Sequence, residues 1–116
     1  MKRLANHVSI HPYFKIRPGQ EAAFKSLLPA FRARTASEEK ALYYEFSVNG
    51  DEVHCREGYV DAEAALAHLA NVESILRESA NTSDLIRLEI HGPAAELAKM
   101  KKPLAELKVD WFALEV

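Results

Sequence analysis

The chain has 116 residues, 48% of them apolar and 28% charged, and fifteen Lys and Arg stand against seventeen Asp and Glu for a formal net charge of −2. That length suits a single domain, 1–116, and the composition excludes collagen-like, disordered and disulfide-rich classes. The charge balance leaves no basic footprint for nucleic acid and no polybasic patch for an anionic membrane.

Cys55 is the one cysteine, so no internal disulfide can form, and a reducing compartment is expected. No apolar run approaches the ~18 residues needed to cross a bilayer, and the first residues lack a signal-peptide core. These features predict a cytoplasmic protein.

Residues 7–17 alternate. Val8, Ile10, Phe14 and Ile16 share one parity, and His7, Ser9, His11, Tyr13, Lys15 and Arg17 share the other. This is the pattern of a strand with two unlike faces. Pro12 lacks a ladder donor and predicts a bulge or a local loss of pairing. After Pro18-Gly19 the period changes to helical, with Phe24, Leu27, Leu28 and Phe31 on one face and Pro29 expected to kink the helix or start a new turn. Leu42, Tyr44, Phe46 and Val48 then alternate, and Asn49-Gly50-Asp51 supplies a tight turn into a second run, Val53 to Val60.

Asp61 predicts a helix cap. A stripe of Ala65, Leu69, Val72 and Leu76 follows it. Ile86, Leu88 and Ile90 mark another strand, Gly92-Pro93 opens a short helix, and Val109 to Leu114 reads as a last strand carrying Trp111 and Phe112. The order is β-α-β-β-α-β plus an added helix and strand. It predicts an α+β, ferredoxin-like fold: an antiparallel sheet with helices on one face.

Several residues are candidates for chemistry. His68 sits at the edge of the apolar helical stripe, either as a buried bridge to the sheet or as a proton donor and acceptor. Glu57 and Tyr59 share a strand side with Val53 and Cys55, where a carboxylate could serve as a base or be held in an ion pair. Tyr59 reads equally as a core aromatic or a substrate contact. His7, His11 and Tyr13 line the unlike face of the first strand and could each border a cavity. His7 and His11 cannot share one metal ion, because four residues of strand separate them by ~13 Å. His54 and His91 read as solvated strand positions, and Cys55 as a small buried hydrophobe.

Glu57-Gly58-Tyr59-Val60-Asp61-Ala62-Glu63-Ala64-Ala65-Leu66-Ala67-His68 resembles the signature of the antibiotic biosynthesis monooxygenase-like family. Ile16-Arg17-Pro18-Gly19-Gln20-Glu21-Ala22-Ala23-Phe24 resembles that family's strand end and helix start, and Leu42-Tyr43-Tyr44-Glu45-Phe46 its second strand. The resemblance spans roughly residues 8–90 and implies a dimeric α+β barrel with a pocket between sheet and helices. Where haem-degrading relatives carry Asn, Trp and His, this chain has Pro12, His68 and Glu78, so haem is not implied and no cofactor is expected.

The resemblance implies a cofactor-independent monooxygenase acting with O2 on a small aromatic such as a quinol or polyphenol. His68 or Glu57 would be the base, and Tyr59, His11, Tyr13 and His7 would orient the substrate. An isomerase or decarboxylase on the same scaffold, and a non-catalytic small-molecule-binding or stress-associated dimer, are the alternatives. Burial needs argue for a homodimer: helices on one face would leave Val53, Tyr59, Trp111 or their opposite-parity neighbours exposed as an apolar patch. The segment Lys108 to Val116 is expected to pair across that interface.

Overall fold

The computed structural model describes residues 1–115. Five strands form one sheet: β1 (Val8–Ile16), β2 (Ala41–Asn49), β3 (Glu52–Tyr59), β4 (Ser83–Gly92) and β5 (Asp110–Ala113). Their order is β2-β3-β1-β4-β5, antiparallel except for the parallel β4–β5 pair. The described residues also form five helices: α1 (Glu21–Lys25), α2 (Leu28–Ala36), α3 (Ala62–Asn71), α4 (Glu73–Ser79) and α5 (Ala94–Lys101). This is the α+β, ferredoxin-like arrangement with an added helix and strand. No helix among the described residues is long and apolar enough to cross a membrane.

Local chemistry explains most boundaries. Gly50, at φ +61, makes the β2–β3 turn. Pro29 sits in the first turn of α2, where its missing N–H costs nothing, so the predicted kink is a break between two helices. The Asp61 carboxylate accepts from the Ala64 N–H at 2.8 Å and starts α3. The long helix expected after it divides at Val72 into α3 and α4.

Pro12 acts as its chemistry requires. The β1–β3 register runs from Ile10↔Glu57 to Tyr13↔His54, with no pairing recorded at residues 11 and 12. The His54 ring shares a 3.0 Å hydrogen bond with the Pro12 carbonyl. Against β4 the register slips one residue later, between Tyr13 and Phe14. That slip turns Ile86 out to solvent instead of into the core, correcting the simple alternation expected of β4.

The helices cover the sheet face that carries Val8, Ile10, Phe14 and Ile16. Two apolar clusters lie beneath them. One joins Val8, Ile10, Tyr59, Ile90 and Met100; the other joins Phe14, Phe24, Phe31, Val53 and Val72. Val53 and Tyr59 are therefore fully buried under helices, and Trp111 packs against the first cluster. The opposite face is not an apolar patch: it carries His7, Ser9, His11, Tyr13, His54 and His91, half-buried against one another. β5 pairs with β4 of its own chain, so the described part of the segment Lys108 to Val116 is an edge strand in cis; Val116 lies outside the described residues.

Candidate active site

Between the two apolar clusters lies a cavity of about 260 Å³. Aliphatic and aromatic side chains line most of it, Phe14, Phe31, Phe46, Val72 and Leu88 among them. Its ionisable lining consists of Tyr44, Cys55, Glu57 and His68. Burial raises the Tyr44 phenol and the Cys55 thiol, and the Glu57 charge raises both further, so these two keep their protons. Glu57 and His68 are left to exchange protons with an occupant.

Glu57 comes from the end of β3, and its alternation with Val53, Cys55 and Tyr59 turns it under the helices, where it is 3% exposed. His68, on the last turn of α3, is 1% exposed. Its Nε2 lies 3.2 Å from Glu57 Oε1, and its Nδ1 lies 2.9 and 3.1 Å from the two oxygens of Glu38. One imidazole thus bridges two carboxylates, with both ring nitrogens engaged. Burial alone would push His68 down, but the hydrogen bonds and charges of Glu57 and Glu38 outweigh it and hold the ring above its ordinary value. The C-terminal end of a helix also favours a cation. The arrangement, an imidazole between two carboxyl groups, favours the protonated ring.

Each carboxylate is held in turn. The Tyr59 hydroxyl donates to Glu57 Oε1 at 2.6 Å. That same oxygen receives His68, which leaves Oε2 as the less encumbered one. Asn71 Nδ2 donates to Glu38 Oε2 at 2.8 Å and to the Arg34 carbonyl at 3.0 Å, while Arg34 Nη1 donates to the Asn71 carbonyl at 2.9 Å. The ends of α2 and α3 are thereby clamped together around Glu38.

The structure brings His68 and Glu57 into one constellation at the cavity wall. Tyr59 stands behind Glu57 as its hydrogen-bond donor and is not part of the lining. His7, His11 and Tyr13 lie across the sheet from the cavity, because their parity points them the other way. Glu38 was not singled out from the sequence. It sits in the loop just after α2, and only the return of the chain toward α3 gives it a partner thirty residues away. Among the described residues, no group of three or more His, Cys, Asp and Glu is placed to hold a metal ion.

No family profile matches the sequence, and no curated protein sequence does. Comparison with solved structures is informative. The chain is 40% identical to MupZ from Pseudomonas fluorescens, over 96% of this chain and 92% of that one, with a TM-score of 0.91. It belongs to the family of MupZ. A candidate antibiotic biosynthesis monooxygenase from Caulobacter crescentus superposes with a TM-score of 0.67 at 16% identity, over 75% of this chain and 89% of that one. Another from Nitrosomonas europaea gives 0.69 at 14%, over 81% and 96%. The fold that MupZ's relative shares with them is antibiotic biosynthesis monooxygenase-like.

Proposed function

We propose that this protein is a cytoplasmic, homodimeric acid–base enzyme for a small, largely apolar aromatic molecule, and that its reaction is cofactor-independent oxygenation. The observation that carries the reading is the Glu38–His68–Glu57 array at the wall of an otherwise apolar cavity. With both nitrogens of His68 already engaged, Glu57 is the base, taking a phenolic or activated C–H proton from the substrate. His68 orients Glu57 and offsets the charge that proton transfer redistributes. The substrate anion then passes an electron to O2, the resulting radical pair joins, and loss of water leaves a carbonyl: one CH2 and one O2 become one C=O and one H2O. The apolar walls exclude bulk water from these steps.

A second reading is non-oxidative proton transfer, as in an isomerase or decarboxylase. One observation favours it. The hydroxyls of Ser79 and Ser83, both in the lining, already donate to backbone carbonyls, so beyond the Glu57–His68 end few groups can hold a second polar atom of a quinol. An oxygen electrode with a panel of reduced quinones and hydroxyaromatics separates the two. Oxygen consumption that vanishes in Glu57→Gln supports oxygenation; equal turnover without oxygen supports proton transfer. Turnover that survives intact in Glu57→Gln contradicts both.

A further inference from the structure

Four of the chain's five histidines stand on the sheet face that the helices leave open, and the cavity uses none of them. Three of them, His54, His11 and His91, form with Tyr13 and Phe112 a continuous ladder across four strands. Tyr13 stacks on His54 with 4.3 Å between ring centroids, and His54 stacks on His11 at 5.7 Å. His11 meets His91 edge-on at 4.7 Å, and His91 stacks on Phe112 at 4.5 Å. Beside this ladder the Tyr43 hydroxyl and His7 Nε2 lie 3.2 Å apart over Gly58, where a Cβ would meet the Tyr43 ring at 2.4 Å.

The charged groups around the ladder are already paired within one copy. Lys15 faces Asp51 at 3.8 Å, Arg17 faces Asp84 at 2.8 Å, and Arg56 faces Glu45 at 3.2 Å. Arg87 pairs with Glu89 and, at 3.2 Å, with Asp110; Glu89 also accepts from His91. Glu52, the first residue of β3, is the exception: it stands exposed outside these pairs. A like face therefore meets no unpaired cation while the imidazoles are neutral. The chain exposes 7198 Å². A compact monomer of its mass exposes about 6,300 Å². The excess, part of it in exposed residues 1–6 and in the exposed stretch from Lys101 onward, is of the order of the roughly 800 Å² that each partner buries in a stable interface.

We infer that the open face is a self-association surface that a second copy covers only while its histidine ladder is neutral, so that acid releases the two copies from each other. The inference rests on the homodimer proposed above and not on its reaction. Burial already lowers His11, its neighbours His91 and His54 lower it further, and Glu89 with Glu57 across the sheet opposes this more weakly. Burial also lowers His7. A second copy removes more water from these rings and sets imidazoles against imidazoles. The dimer then binds fewer protons than two free chains, and falling pH favours the free chains.

Sedimentation of the full chain at low micromolar concentration, at pH 7.5 and pH 5.0, tests this, with circular dichroism to confirm folding at both. The expected result is twice the chain mass at pH 7.5, and a dissociation constant at least tenfold weaker at pH 5.0. His11→Gln/His91→Gln should remain dimeric at pH 5.0, and His11→Lys should be a folded monomer at pH 7.5. A wild-type dimer equally tight at both pH values overturns the inference while leaving the dimer standing. A wild-type monomer at pH 7.5 overturns the dimer as well. Acid dissociation undiminished in the double variant overturns the assignment to the ladder.

Discussion

The two faces of this sheet use the same side chain in opposite electrostatic settings. Under the helices, His68 is walled off from water, and two carboxylates hold its proton. On the open face, His11 is half-buried among other imidazoles, which together with burial drive its proton off. Burial acts in the same direction on both rings. The partners decide the outcome, and they follow from strand parity: Glu57 is turned inward by the alternation that turns His54 outward.

The largest difference between the faces should appear in turnover. Glu57→Gln keeps the volume and removes the base, so kcat should fall about a hundred- to ten-thousandfold, the usual range for a general base. His11→Gln should leave kcat of the assembled protein unchanged. Stability should separate them nearly as well. His68→Ala takes the imidazole away from the buried Glu57 and the half-buried Glu38 and should cost about 3–5 kcal/mol in chemical denaturation. His11→Ala, on a half-exposed surface, should stay within about 1 kcal/mol.

Close packing gives a smaller effect on the open side. Gly58→Ala places a methyl at 2.4 Å from the Tyr43 ring and 2.6 Å from His7 Nε2. Both side chains must shift, at about 1–3 kcal/mol by denaturation. The pH dependence of stability should carry opposite slopes. His68 is raised in the fold, so its stabilisation is complete below the unfolded histidine range near ~6.5 and fades as pH climbs through the raised value. Glu38→Gln should flatten that alkaline decline. His11 is lowered, so its term is complete above ~6.5 and fades as pH falls toward the lowered value. At the small end, Arg77→Ala breaks an exposed i,i+4 pair with Glu73 at 2.9 Å, and should cost below about 0.5 kcal/mol.

Much of this was legible in the chain itself. The parity of Val53, Cys55, Glu57 and Tyr59 placed all four on one buried side, and the Asp61 cap and Asn49-Gly50 turn fixed the elements on either side of them. The alternation of β1 separated His7, His11 and Tyr13 from the core correctly, but which face held the cavity depended on where five helices landed, and alternation alone carries no such information. Glu38 was out of reach for the same reason. Its meaning comes from a loop returning to α3, a tertiary contact with no local periodic trace. Ile86 misled because a one-residue slip in a ladder inverts every parity beyond it.

The proposed chemistry turns on the protonation of His68. A titration of the histidine ring nitrogens by ¹⁵N NMR reads it directly, with His68→Gln identifying the resonances. The prediction is that both Nδ1 and Nε2 of His68 carry protons at pH 7.5 and titrate above the ordinary histidine range, moving down in Glu38→Gln. A His68 that is neutral at pH 7.5, with one bare nitrogen and no response to Glu38→Gln, would contradict it.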